Sequence, residues 1–197
     1  MPAKLPADWS CHPASPDRWT DLETLFGDRG ACGGCWCMYW RRRKPKFDAN
    51  KGAGNRKALR KLVHDDREPG LIGYVGADPV GWVAVAPREE YVRLGGSRIL
   101  QPVDDTPVWS VTCLFVRKEH RRQGLSVRLL TAAVEFVRAR GGRVVEGYPV
   151  EPKTDPMPAP FAWTGLASAF LAAGFREVAR RADTRPIVRY ELTSPRK

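Results

Sequence analysis

The sequence predicts a mixed α/β fold, and three observations carry that prediction. Leu71–Val75 and Val80–Ala86 are apolar, β-branched runs joined by Gly76-Ala77-Asp78-Pro79, which reads as a hairpin. Val108–Val116 (Val-Trp-Ser-Val-Thr-Cys-Leu-Phe-Val) has the composition of a central strand. Apolar residues then recur at helical spacing in Leu125–Ala139, in the rows Leu125/Leu129/Ala132/Phe136 and Leu130/Val134/Val137.

The other elements follow in chain order. Asp17–Phe26 reads as a short helix with Trp19, Leu22, Leu25 and Phe26 on one face. Gly27–Asn50 reads as irregular, Gly- and Cys-rich at first and then basic, with Arg41–Lys46 as a solvated loop. Asn55–Glu68 is a second helix, with Leu59, Leu62 and Val63 inward and Pro69-Gly70 as its stop. The hairpin comes next, then an excursion over Arg93–Thr106 before the central strand. The basic turn Arg117–Gly124 leads into the long helix, which Gly141-Gly142 ends. Strand Arg143–Val150 and a Pro-rich loop through Pro160 precede a last helix, Leu166–Ala173, closed by Gly174. Phe175–Ala179 and Ile187–Leu192 are the final strands. No internal repeat is visible. A single domain over 1–197 is expected, with an N-terminal helix and Cys/Trp/Arg-rich segment at 1–54 and the core at 55–197.

Bulk properties narrow the function classes. A chain of 197 residues that is 43% hydrophobic, with seven Trp and seven Phe, can bury a sizeable core. No stretch approaches the ~20 apolar residues of a bilayer span. The opening Met1-Pro-Ala-Lys-Leu-Pro has no apolar signal region, so a cytoplasmic location with reduced thiols is expected. The net charge of +11 predicts attraction to polyanions, either nucleic acid or a phosphorylated cofactor. No nucleic-acid module is recognisable, which disfavours the first.

The unit that points to chemistry is a strand, a basic Gly-containing turn and a helix start: Val116-Arg-Lys-Glu-His-Arg121-Arg122-Gln123-Gly124-Leu125-Ser126. A helix start presents unpaired N–H groups and the positive end of its dipole, which suit a pyrophosphate. Gly124 lets backbone approach phosphate closely, Arg121 and Arg122 add charge-assisted contacts, and the small Ser126 keeps the entrance open. An ordinary basic turn capping a βα unit is the alternative reading. Neither a Walker loop nor a dinucleotide fingerprint has its glycine pattern here.

Arg121-x-x-Gly124-x-Ser126 after a strand ending in Val116 resembles motif A of the GNAT N-acetyltransferases, placed here at 108–139. Ser126 departs mildly from the family's usual Gly or Ala. Pro79-Val80-Gly81-Trp82 resembles the family's "vGw" strand, and Ala173-Gly174-Phe175 its "GF" helix ending. Cys35-Trp36-Cys37-Met38-Tyr39-Trp40 with Glu146-Gly147-Tyr148-Pro149 is similar to a bacterial subgroup. The resemblance implies a mixed, mostly antiparallel central sheet flanked by helices, splayed between Val108–Val116 and Arg143–Val150 where acetyl-CoA enters. It also implies acetyl transfer to a primary amine of a small molecule or peptide by direct attack. Backbone groups of Leu114, Phe115 and Val116 would hold the pantetheine arm. Those of Arg121, Arg122, Gln123, Gly124, Leu125 and Ser126 would cradle the pyrophosphate.

The catalytic groups are less defined. Many relatives place Tyr four residues before the "GF" glycine, where it protonates the leaving thiolate; here Phe170 stands there. Tyr148 and Ser168 are the substitutes the sequence offers. Glu146 is the first candidate base, with Asp104, Asp105 and Glu89 behind it, and a structural partner for Arg is its alternative role. Trp36, Trp40, Trp82 and Glu89 are expected at the acceptor pocket, although packing is the other role of Trp36, Met38, Tyr39 and Trp40. Cys32-x-x-Cys35-x-Cys37 could offer three thiolates, with Cys11, His12 or His64 as a fourth ligand. The second knuckle of a structural zinc site is missing, so no metal is expected. The rival functions are a CoA-binding sensor and a basic nucleic-acid-binding protein. Partners are acetyl-CoA and an amine, without a membrane, and a homodimer is left open.

Overall fold

A computed structural model describes residues 8–153, 158 and 161–192. Its elements are β1 (Trp9–Pro13), α1 (Trp19–Phe26), α2 (Lys44–Asp48), α3 (Ala53–His64), β2 (Gly70–Val75), β3 (Asp78–Pro87), β4 (Trp109–Val116), α4 (Leu125–Ala139), β5 (Val144–Gly147), α5 (Ala167–Ala172), β6 (Arg176–Arg180) and β7 (Pro186–Glu191). The strands form one sheet in the order β1-β2-β3-β4-β5-β7-β6. Only β4 and β5 run parallel, because α4 carries the chain back across the sheet between them. This is the mixed, mostly antiparallel α/β architecture expected from the sequence, with helices on both faces. Among the described residues no helix is long and apolar enough to cross a membrane.

Two clusters sandwich the sheet. The apolar rows of α4 bury Leu125, Leu129, Leu130, Ala133, Val134, Phe136 and Val137. They pack on Val83, Val85, Val111 and Val145 of β3, β4 and β5, and Phe170 of α5 joins the same cluster. On the opposite face α1 buries Trp19, Leu22, Leu25 and Phe26, the four residues predicted for it, and α3 buries Leu59 and Val63. Trp36, Cys37, Met38 and Trp82 complete that layer. Strand alternation explains the division: along β4, Leu114 belongs to the first cluster, while Cys113 and Phe115 lie against the second.

Two features place the site. The β3–β4 register slips between Ala84, which faces Cys113, and Val85, which faces Val111, so Thr112 is an extra residue that bends β4. β4 pairs with β5 only from Trp109 to Val111. Beyond that the two strands diverge, and the second half of β4 has a free flank.

The second helix ends at His64 rather than Glu68 and β5 at Gly147 rather than Val150, and three further details differ from the sequence reading. β1 is a strand at the sheet edge that Trp-Ser-Cys-His-Pro gave little sign of, since one partner strand holds it. The segment read as irregular contains α2, started by Pro45 in its first turn. Arg41 is no solvated residue: its side chain is 5% exposed and pairs with Glu90 at 2.5 Å, because the loop folds inward behind Trp40.

Candidate functional site

The free flank of β4 borders a cavity of roughly 590 Å³. Cys113, Leu114, Phe115 and Val116 form one wall, and Ala162, Trp163, Gly165, Leu166 and Ala169 form the wall opposite. At one end stand Arg121 and Ser126, and at the other Tyr39, Phe47 and Lys51 with the thiols of Cys32, Cys35 and Cys37. An adjoining groove shares Val116, Arg121, Ser126, Leu166 and Ala169 with the cavity and adds His120, Arg122, Gly124, Leu125 and Ser168.

The basic turn is shaped as its composition suggests. Gly124 caps α4 in the left-handed conformation at φ 76°, and Arg122 is also left-handed at φ 60°. No side chain caps the helix, so its first turn opens toward the groove. Arg121 donates from Nε to the Val116 carbonyl at 3.0 Å, which holds its guanidinium at the end of β4. Gln123 turns back to the Glu119 carbonyl at 3.2 Å and does not line either hollow.

Along β4 the three backbone positions are not equivalent. Phe115 pairs with Trp82 of β3. The Leu114 N–H donates to the Trp163 carbonyl at 2.8 Å, so Leu114, and by alternation Val116, direct their backbone groups into the split. The segment that crosses this split is itself anchored to the end of β5. Val150 donates to the Gly165 carbonyl at 2.9 Å and accepts from Ala167 at 3.0 Å. Residues 163–167 therefore bridge the two diverging strands.

The structure moves the acid–base candidates elsewhere. Glu146 is fully buried, with Oε1 accepting from Arg88 at 3.1 Å and from Tyr148 at 2.7 Å, and Oε2 accepting from Arg189 at 2.8 Å. The Tyr148 hydroxyl also meets Ser110 Oγ at 2.8 Å. Burial first, then the charge of Glu146, pushes the Tyr148 hydroxyl far above its ordinary range. These residues form a closed ion-pair network away from the cavity lining. Asp104 belongs to it, paired with Arg189 at 2.6 Å. Glu89 is exposed on a 3-10 turn over Arg88–Glu90, and Asp105 is exposed too. Ser168 lines the groove near the basic turn, at the opposite end from the thiols. Phe170 is fully buried, packed on Phe175 and over Gly147, and has no place in the cavity.

The predicted pocket aromatics divide likewise. Trp36 stacks on Trp19 in the core, and Trp82 is buried with its indole N–H on Cys37 Sγ at 2.9 Å. Trp40 does not line the cavity itself, but packs against two residues that do, Tyr39 at 5.0 Å and Trp163 at 5.8 Å between ring centroids. Trp163, Phe47 and Lys51 are the lining residues that the sequence reading missed. Their signal was weak, since Trp163 follows the Pro-rich loop far along the chain from Tyr39. Among the described residues no group of three or more His, Cys, Asp or Glu is arranged to hold a metal ion.

The acetyltransferase (GNAT) family model matches residues 35–153. No curated protein is significantly similar in sequence. Several solved structures share the fold. A GNAT-family acetyltransferase from Listeria monocytogenes superposes with TM-score 0.57 at 9% identity, covering 93% of this chain and 95% of the other. The PaiA N-acetyltransferase of Thermoplasma acidophilum, solved with coenzyme A, gives 0.53 at 10% identity over 93% and 99% of the two chains. The polyamine N-acetyltransferase of Drosophila melanogaster gives 0.56 at 11% identity over 94% and 100%. At these identities the likeness establishes the fold.

Proposed function

This chain belongs to the GNAT family of acetyltransferases, and from that premise we propose that it transfers an acetyl group from acetyl-CoA to a primary amine. The observation that carries the reading is the continuity of the cavity. A basic, uncapped helix start opens onto a strand flank that β5 does not cover, and that flank leads to an apolar, aromatic chamber.

In this reading the helix start and Arg121 and Arg122 hold the pyrophosphate through backbone N–H groups and charge-assisted hydrogen bonds. The Leu114 N–H is already bound to Trp163 and the Val116 carbonyl to Arg121, so the Leu114 carbonyl and the Val116 N–H pair with the pantetheine arm, much as an added strand would. The acceptor amine enters from the chamber of Tyr39, Phe47 and Cys113 and attacks the thioester carbonyl. The C–N bond forms as the C–S bond breaks, the ammonium proton leaves to water, and the thiolate takes up a proton. The lining offers that thiolate several proton donors, among them Tyr39 and the thiols of Cys32 and Cys37. Among the described residues no carboxylate lines the cavity, so positioning supplies most of the rate rather than a built-in base.

Calorimetric titration with acetyl-CoA, repeated with CoA lacking its 3′-phosphate, tests this. Micromolar binding (about −8 kcal/mol) is expected for acetyl-CoA. Gly124→Val should weaken it at least tenfold, because a β-branched residue is strained at φ 76° and its side chain fills the cradle. Equal affinity in Gly124→Val, or no binding at millimolar donor, would refute the assignment.

A further inference from the structure

The acceptor end of the cavity is built for a different charge from the one an amine usually meets. Among the described residues its lining contains no Asp or Glu. The charged lining residue there is Lys51, which pairs with Asp48 at 3.2 Å on the exposed side of α2. A polyamine entering this chamber would find no carboxylate for its second ammonium. Burying such a charge unpaired is unfavourable.

Two arginines stand behind the chamber's aromatic wall, outside the cavity lining itself. The Arg93 guanidinium lies over the Tyr39 ring, 3.7 Å from its centroid, and its backbone N–H donates to the Trp40 carbonyl at 3.1 Å. Arg185 donates to Thr164 Oγ1 at 3.0 Å, beside Trp163. Burial holds the Arg185 guanidinium below its ordinary range, with Tyr39 acting in the opposite sense. Both arginines are partly buried, and among the described residues neither forms a salt bridge. Arg41, Arg88 and Arg189, in comparable surroundings, each pair with a carboxylate.

Three mutually touching rings, Tyr39, Trp40 and Trp163, adjoin these residues. The Trp40 indole N–H is buried there without a hydrogen-bond partner. A partly desolvated guanidinium is stabilised when a carboxylate reaches it, and Arg presents a planar fork suited to that group.

Resting on the acetyl-to-amine reading, we propose that the acceptor is a small molecule carrying a carboxylate beside its amine on an apolar or aromatic body, such as an aromatic amino acid, with Arg93 and Arg185 as its specificity determinants.

The test compares kcat/KM for phenylalanine and tryptophan with that for phenethylamine and tryptamine, and with agmatine and spermidine, by release of CoA. The carboxylate-bearing acceptors are expected to exceed their decarboxylated partners at least tenfold, and the polyamines by more. Arg93→Met and Arg185→Met keep an apolar stem, and thermal melts verify that each folds. Each variant should shrink that ratio toward one, through KM rather than kcat. Preference for decarboxylated amines or polyamines would overturn the proposal while leaving amine acetylation standing, as would an unchanged ratio in both variants. Absence of turnover with every amine, with acetyl-CoA binding intact, would instead overturn the amine-acceptor reading itself and this proposal with it.

Discussion

The backbone N–H of Leu114 donates to the carbonyl of Trp163 at 2.8 Å, across the gap that β4 and β5 leave open. This bond ties the segment before α5 to the flank of the central strand. It makes that segment a wall of the cavity, and it sets Trp163 against Tyr39 at the aromatic end.

The bond depends on Gly165, two residues on. Gly165 is left-handed at φ 86°, and a Cβ there would lie 2.6 Å from Leu114 Cδ1 and 2.7 Å from the Phe170 ring. Gly165→Ala is expected to cost about 1–3 kcal/mol through backbone strain and overpacking. That corresponds to a fall in Tm of roughly 2–4 °C per kcal/mol for a chain of this size. Hydrogen exchange at the Leu114 amide should quicken at the same time. A wild-type melt together with unchanged Leu114 exchange would show that the segment is not held this way.

Glu146→Gln removes the charge at the centre of the Arg88–Glu146–Arg189 network without changing its shape. Breaking one member of a buried ion-pair set typically costs about 3–5 kcal/mol, because the partner charges remain buried. The expected result is a strongly lowered denaturation midpoint with acetyl-CoA affinity retained in the folded fraction. A variant of wild-type stability that loses turnover would return Glu146 to a chemical role.

The thiols separate by environment. Burial raises Cys35 to about 11 and Cys11 to about 12. Cys113 is raised well above a normal thiol, by its hydrogen bond with Cys37 and then by burial. Cys32 is exposed at the cavity rim. At pH 8, iodoacetamide followed by mass spectrometry should modify Cys32 first, with Cys11, Cys35 and Cys113 at least tenfold slower. Since a raised folded-state pKa favours the protonated fold, these three thiols also lower stability as pH rises above their unfolded value of about 8.5. Rapid labelling of Cys113 at pH 8 would contradict its hydrogen bond with Cys37 and its raised thiol.

Much of this architecture was legible in the residues. Apolar rows at helical spacing marked α1 and α4 within a residue or two, since burying one face is what makes those helices stable. The hairpin followed from Gly76-Ala77, and the helix-start motif followed from Arg121, Gly124 and Ser126. These signals are local, because backbone preference and side-chain periodicity act over a few residues. β1 was hidden for the opposite reason. Trp9–Pro13 is a strand because β2 pairs with it, and pairing is not written in its own composition.

The chemistry divides along the same line. The sequence by itself determined the family motif, the place of the basic turn at the helix start and the absence of Tyr at position 170. Only the tertiary structure decided that Glu146 is locked between two arginines and that Trp36 and Trp82 are core. It alone brought Trp163 beside Tyr39 and, among the described residues, left Arg93 and Arg185 without carboxylates. Local patterns report what a residue prefers for its own backbone and burial. The partner of a charge or a ring is set by which distant strand or loop the fold places against it, and neighbouring residues carry no record of that choice.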